Sequence, residues 1–188
     1  MTSSNKIIVI GGGLAGCEAA YQVSKFNMNV DLYEMRPKVK TEAHKTKYLA
    51  ELVCSNSFRS DDKEYNAVGV LHEELRIADS LIMKTADLNK VPAGSALAVD
   101  RDNFAQEIHK TIRSIPNINI INQEVKNLND FDNQKVIIST GPLTSRAFSQ
   151  SIKIKTSENS LAFYDAIAPI VYKETINMSV AWKQSRYD

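Results

Sequence analysis

The glycine-rich turn near the amino terminus constrains the fold of this chain more than any other feature. In the segment VIGGGLAGCEAA, Gly11, Gly13 and Gly16 satisfy the pattern G-x-G-x-x-G. The β-branched run KIIVI precedes the glycines and a helical pattern follows them, which is the order at the first turn of a dinucleotide-binding strand–helix–strand unit. There the helix N-terminus offers free N–H groups to a pyrophosphate. We therefore predict an α/β fold of the Rossmann type.

The next strand supports this interpretation. The segment NVDLYE ends on Glu34, 18 residues after Gly16, and an acid at this point can accept hydrogen bonds from ribose hydroxyls. A later strand, KVIIST, leads into Thr140 and Gly141. Such a Thr-Gly exit is common in two-dinucleotide-type flavoproteins and favours FAD, although the glycine pattern alone allows FAD or NAD. The predicted cofactor-binding residues are Gly11, Gly12, Gly13, Leu14, Ala15, Gly16, Glu34, Thr140 and Gly141, with Val125 as a backbone contact to adenine.

The remaining sequence patterns predict further helices and strands and a division of the chain into two domains. Periodicity and turn signals predict helices over 14–26, 70–84 and 101–114, the last capped by Asp100, and strands at 96–99 and 118–125. Residues 36–60 are irregular and polar. The apolar segment at 160–172 is strand-like and is expected to open a second domain. The expected division is a Rossmann-like domain over 1–150, with FAD favoured as its ligand, and the beginning of a second domain over 151–188.

Composition excludes several broad classes of protein. The 188 residues carry 23 basic and 22 acidic side chains, so any binding of nucleic acid must use a local basic patch. Two cysteines are too few for a disulfide framework. The apolar run at 7–10 is too short for a signal sequence or a membrane span. The three histidines show no metal-ligand spacing with the cysteines. We therefore expect a cytoplasmic protein with no membrane partner and no metal site.

Cys54 and nearby basic residues are the candidates for chemistry and substrate binding. Cys54 lies in ELVCSNSFRS, outside any periodic pattern, and a cationic neighbour such as Arg59 favours the nucleophilic thiolate. An inert cysteine remains an open alternative. The basic residues between 36 and 47 can neutralise phosphates of a nucleic acid or form a solvated loop. Cys17 is expected to pack against the first strand. The candidate substrate-binding residues are Arg36, Lys45, Lys47 and Arg59.

Six segments taken together resemble one family. VIGGGLAGCEAAYQ, LYEMRP, ELVCSNSFRS, PAGSALAVDRDNFA, STGPLTS and FYDAIAPIV closely resemble, in this order, the folate- and FAD-dependent tRNA uracil-5-methyltransferases, the TrmFO family. The Cys54 segment and FYDAIAPIV are its most specific parts. The resemblance implies an enzyme that methylates carbon 5 of a T-loop uridine in tRNA. Methylenetetrahydrofolate would supply the one-carbon unit, and FAD reduced by NAD(P)H would complete the methyl group.

The resemblance also implies a catalytic role for Cys54. Carbon 5 of uracil becomes nucleophilic when a thiolate adds to carbon 6, and the family uses two cysteines in this chemistry. Cys54 matches the first, which lies near the flavin. The second cysteine and a C-terminal segment that completes the flavin site belong to a region that should follow Asp188. We therefore expect a truncated chain that binds FAD weakly and is inactive alone, unless a separate C-terminal fragment is its partner.

Three other interpretations remain open from the sequence. The chain could be a non-catalytic flavin-binding remnant of this family, or a paralogue that acts on ribosomal RNA. It could also be an unrelated NAD-dependent dehydrogenase of the Rossmann type. The last alternative lacks a recognisable catalytic constellation and leaves the segment CSNSFRS unexplained.

Overall fold

Two β-sheets and five α-helices form the described part of the chain, residues 5–157 and 173–182 of a computed structural model. The strands are β1 (Lys6–Ile10), β2 (Asn29–Glu34), β3 (Ser57–Ser60), β4 (Lys90–Val91), β5 (Ala96–Val99), β6 (Ile118–Asn122) and β7 (Lys135–Ile138). The helices are α1 (Leu14–Ser24), α2 (Ala67–Ile77), α3 (Leu81–Leu88), α4 (Arg101–Ser114) and α5 (Arg146–Thr156). Short 3-10 helices cover Leu128–Phe131, Gly141–Leu143 and Lys173–Thr175.

The larger sheet is parallel and has the strand order β6–β2–β1–β7. This is the order of one Rossmann half, in which the direction of winding reverses beside β1. Ile10 lies opposite Tyr33 on one side and Ile138 on the other, so the carboxyl ends of β1, β2 and β7 meet at one edge. The predicted Rossmann-type α/β fold is confirmed.

Both faces of strand β1 are buried, as its continuous apolar run predicts. Val9 and Leu32 are fully buried in the main core, which also includes side chains of α1, α3 and α4. Ile8 and Ile10 point to the opposite face and pack in a second cluster with Phe131 and Phe148. Alternate side chains of β1 thus enter two cores, one on each face of the sheet, and this packing holds the strand in place.

The smaller sheet, β3–β5–β4, is antiparallel and was only partly predicted. Strand β5 matches the expected short strand. Strand β3 falls in a segment expected to be irregular. It has four residues, SFRS, and Phe58 is its one apolar side chain, so no apolar alternation marks the strand in the sequence. Its register with β5 shifts between the pairs Ser57–Ala98 and Ser60–Ala96.

The predicted single helix over 70–84 is wrong, because α2 and α3 are separate helices. Asp79 adopts a left-handed conformation with φ of 60°, and the side chain of Ser80 caps α3 by accepting a hydrogen bond from the N–H of Met83. The hydroxyl of Ser80 donates to Glu18 on α1 at 2.8 Å. Apolar spacing continues across this break, so periodicity alone could not locate it. The predicted cap at Asp100 is confirmed, since its carboxylate accepts from two N–H groups of α4.

The expected domain boundary at residue 150 falls inside α5. This helix packs on the parallel sheet through Phe148, which is buried beside Ile8 and Ile10 of β1. The division into two domains stays a prediction, and the apolar segment at 160–172 lies outside the described residues. Within 5–157 and 173–182, none of the helices is long and apolar enough to cross a bilayer.

Candidate functional site

A cavity of about 660 Å³ lies at the edge where β1, β2 and β7 end. This volume is typical of small-molecule sites, and ligands of open α/β sheets bind at this edge. The cavity brings together most of the predicted site residues. The lining includes Gly11, Gly12, Gly13, Leu14, Ala15, Glu34, Arg36, Cys54, Arg59, Val125, Thr140 and Gly141.

The three glycines of the motif occupy different environments. Gly11 has a φ of +106°, and a Cβ there would lie 2.7 Å from the carbonyl oxygen of Ser139. A Cβ on Gly16 would overlap the carbonyl oxygen of Gly11, so this glycine permits close packing of α1 on the turn. Gly16 does not line the cavity. A Cβ on Gly13 would meet no atom within 4 Å. The backbone at Gly13 is therefore open to a ligand, as close approach of a phosphate requires.

The glycine turn leaves the start of α1 uncapped and is held to β7 by Ser139. No side chain caps α1 at Gly13, so the first N–H groups of the helix have no side-chain acceptor from the cap residue. Ser139, which the sequence analysis missed, places its Oγ 3.0 Å from the carbonyl oxygens of both Ile10 and Gly11. Ser139 thereby ties the end of β7 to the glycine turn. Its only sequence signal is its position immediately before Thr140 and Gly141.

Glu34 lies at the end of β2 and is only 6% exposed. Its Oε2 accepts from the N–H of Gly12 at 3.0 Å and from Nη2 of Arg36 at 3.2 Å. Its Oε1 accepts from the N–H and the Nε of Arg36, both at 2.9 Å. Burial acts to raise the pKa of Glu34, but the hydrogen bonds and charge of Arg36 outweigh it and hold the pKa below its ordinary value. A ribose hydroxyl that binds this ionised carboxylate must share or replace one of these donors.

Arg36, predicted from the sequence as a substrate-binding residue, is buried beside Glu34. It is 2% exposed, and its Nη1 donates to Oε2 of Glu51 at 3.0 Å while the rest of the guanidinium holds Glu34. Three of the five N–H donors of this guanidinium are therefore directed at the two carboxylates. The candidate role of Arg36 in substrate binding stays a prediction, and the structure places this side chain in the wall of the cavity, on Glu34 and Glu51.

Glu51 was not predicted from the sequence, although it organises the basic segment. Its carboxylate accepts from the N–H of Lys45 at 2.8 Å and from the N–H and hydroxyl of Thr46 at 3.1 and 2.9 Å. Burial acts to raise the pKa of Glu51, but these bonds and the charge of Arg36 hold it below its ordinary value. The side chains of Lys45 and Lys47 are exposed and do not line the cavity. Both remain candidates for contact with a large substrate.

Cys54 and Arg59 line the same cavity from the segment that leads into β3. Cys54 is half-buried, and Arg59 is exposed with a φ of +72° at the β-bulge. Bulges beside functional sites commonly redirect a side chain. Cys17, in contrast, is fully buried with its Sγ 3.4 Å from the carbonyl oxygen of Gly12, and burial raises the pKa of its thiol far above the ordinary value. The packing role expected for Cys17 agrees with this placement.

His44 also lines the cavity, although its sequence context predicted no role for it. Its Nδ1 lies 2.7 Å from the hydroxyl of Thr41. Burial lowers the pKa of His44, and the positive charge of Arg36 lowers it further, so the imidazole facing the cavity is neutral at pH 7. Among the described residues, no group of three or more His, Cys, Asp or Glu side chains is arranged to hold a metal ion.

Alanine at two motif glycines is expected to have opposite effects. Gly16→Ala forces a Cβ against the backbone at Gly11 and should lower the free energy of unfolding by about 1–3 kcal/mol. Gly13→Ala places its methyl group in open space, so it should preserve stability and weaken the binding of FAD. Urea denaturation and titration of flavin fluorescence measure the two effects. An equal loss of stability in both variants would contradict this separation of roles.

The free energy of unfolding should decrease in two steps as the pH is lowered. His44 and His109 have pKa values lowered from 6.5, mainly by burial, so the unfolded chain binds more protons and stability decreases as the pH falls below 6.5. Glu34 and Glu51 have pKa values lowered from 4.5. Their contribution is complete above pH 4.5 and is lost as the pH falls through their folded values. Urea denaturation across pH 3 to 8 tests this, and His44→Gln should reduce the upper step only.

The fold and the cavity define a dinucleotide-binding domain of the Rossmann type, in the class that binds FAD. The chain belongs to the family described as glucose inhibited division protein A, which it matches over residues 6–188. This membership removes the alternative of an unrelated NAD-dependent dehydrogenase.

Three of the relatives that the chain matches are all named TrmFO. The chain is 55% identical over 98% of its length to the methylenetetrahydrofolate–tRNA-(uracil-5-)-methyltransferase TrmFO of Bartonella henselae. It is 58% identical over 98% of its length to the TrmFO of Bradyrhizobium diazoefficiens and 55% identical over its full length to that of Jannaschia sp.. These similarities confirm the resemblance to TrmFO proteins. The chain spans 39% to 41% of the length of these relatives.

Proposed function

We propose that this chain is the FAD-binding part of an enzyme that methylates carbon 5 of a uridine in tRNA. The observation that carries the proposal is the identity of 55% to 58% with methyltransferases of that name over at least 98% of the chain. The co-substrates are methylenetetrahydrofolate, which provides the one-carbon unit, and NAD(P)H, which reduces the flavin. The sequence motifs around Cys54 support the same assignment.

The residues of the cavity fit a dinucleotide. The open backbone at Gly13 and the uncapped start of α1 suit a pyrophosphate. The adenosine half is proposed to contact Glu34 through its ribose and the backbone of Val125 through adenine, with Thr140 and Gly141 beside it. When bound, FAD supplies the electrons that complete the methyl group. The chain itself binds and orients this group and encloses it between apolar walls.

The substrate is proposed to enter from the side of Cys54 and Arg59. Both residues line the cavity that is proposed to hold the flavin, so a pyrimidine ring could meet the Sγ of Cys54 there. Arg59 and the exposed Lys45 and Lys47 provide positive charges for the phosphates of the RNA backbone. Arg36 is left out of this surface because it is buried and binds Glu34 and Glu51.

A chimera tests the proposed function. In it, this chain replaces the matching segment of the Bartonella henselae relative, so that the parts of the longer protein are present. The assay measures 5-methyluridine formed in unmodified tRNA with methylenetetrahydrofolate, FAD and NADPH. We expect methylated tRNA and bound FAD. A chimera that contains FAD but methylates only ribosomal RNA would support the paralogue, and one that contains FAD and methylates neither RNA would support the non-catalytic remnant.

The cofactor is tested on the 188-residue chain itself. The chain is titrated with FAD and with NAD, and binding is followed by fluorescence and by thermal shift. We expect it to bind FAD more tightly than NAD. Preference for NAD would contradict the proposed site.

A further inference from the structure

A buried chain of charges connects the nucleotide cavity to the segment that leads to Cys54. The guanidinium of Arg36 holds both oxygens of Glu34 through Nε and Nη2, at 2.9 and 3.2 Å, and reaches Glu51 through Nη1 at 3.0 Å. Both carboxylate side chains are only 7% exposed, and that of Arg36 is 2% exposed. Since the guanidinium is planar and rigid, the two carboxylates are held in one fixed arrangement.

Glu51 extends this connection into the backbone. Its carboxylate accepts hydrogen bonds from the N–H groups of Lys45 and Thr46, and the N–H of Ala50 donates to the carbonyl oxygen of Gly12 at 2.8 Å. The segment 45–51 is therefore attached to the glycine turn and, through Arg36, to Glu34. Cys54 follows Glu51 by three residues along the chain and lines the same cavity.

We propose that Arg36 is a positioning residue that couples occupancy of the nucleotide site to the order of residues 45–54. The proposal rests on the proposed binding of FAD in this cavity. A ribose hydroxyl at Glu34 must share or replace one of the four donors that Gly12 and Arg36 supply. The change moves the guanidinium plane, and Glu51 moves with it. The segment 45–54 then takes the arrangement that the bound nucleotide selects.

The test uses ADP, which carries the adenosine and pyrophosphate of FAD and has no flavin ring that could cover Cys54. Two readouts are taken on the 188-residue chain, with and without saturating ADP. Hydrogen exchange follows the amides of Lys45 and Thr46, and alkylation by iodoacetamide follows Cys54, because Cys17 is fully buried in the native state. In the wild-type chain we expect ADP to slow both rates by about fivefold or more.

The decisive variant is Glu51→Gln, which keeps the shape of the side chain and removes the charge that Arg36 holds. It should still bind ADP, and the change caused by ADP should disappear from both readouts. Arg36→Lys, which retains a charge but lacks the planar fork, should have the same effect. Asp87→Asn is the matched control, because it removes a carboxylate from the ion pair with Arg76, and neither residue lines the cavity.

The outcomes separate this proposal from the proposed function. Binding of ADP with an undiminished effect in Glu51→Gln and Arg36→Lys would overturn the coupling and leave the cofactor site intact. Binding without any effect on the wild-type amides and on Cys54 would overturn it as well. A wild-type chain that binds neither ADP nor FAD would overturn both proposals.

Discussion

Arg36→Met is expected to lower the free energy of unfolding by about 3–5 kcal/mol, the cost of leaving a buried charge without its partner. Methionine fills a similar volume, so the effect comes from Glu34 and Glu51. Both carboxylates are nearly buried and both bind this guanidinium. Without Arg36 they must become protonated or draw water into the core. Urea denaturation at pH 7 measures the loss.

A matched surface variant separates this effect from the general loss of a cation. Lys63→Met removes one of the cations paired with Glu73, in a pair whose side chains are 53% and 36% exposed, and such a change should alter the free energy of unfolding by about 1 kcal/mol or less. A similar small effect of Arg36→Met would mean that the two carboxylates do not depend on the buried guanidinium.

Cys54→Ala is expected to lower the rate of methyl transfer by the chimera by about 10²- to 10⁴-fold, the usual contribution of one positioned catalytic group. This rests on the proposed function and on the position of Cys54 on the wall of the cavity. The variant should keep its bound FAD, since the thiol is not one of the residues proposed to hold the adenosine half. Single-turnover formation of 5-methyluridine in tRNA measures the effect.

The control for this prediction is Ser114→Ala, at the exposed end of α4. Within the described part of the chain, the hydroxyl of Ser114 donates only to the carbonyl oxygen of Thr111. It should methylate tRNA at the wild-type rate. Retention of full activity by Cys54→Ala would assign the cysteine to packing, which is the inert alternative that the sequence left open.

Local sequence patterns predicted the helices, strands and turns that depend on residues close together in the sequence. The β-branched run of β1, the glycine turn and the acid at the end of β2 follow each other within 34 residues, so strand, turn and helix could be derived together with the side of the sheet on which a ligand binds. The cap at Asp100 was equally local. The break between α2 and α3 was missed although its cap, Ser80 on the N–H of Met83, is also local, because the apolar spacing continues across it.

The sequence by itself determined the Rossmann-type unit, the family and the set of residues from which a cofactor site could be built. Only the tertiary structure decided how those residues divide into ligand-facing groups and framework. Arg36 has the same charge as Lys45 and Lys47, and although it lies in the family segment LYEMRP, two residues after Glu34, its burial could not be derived from that position. Its burial results from the parallel pairing that brings the end of β2 beside the glycine turn and the folding of the following segment over it, with Glu51 at 3.0 Å. Distances between residues far apart in sequence are set by packing, so the buried network between Glu34 and Glu51 appears only in the folded chain.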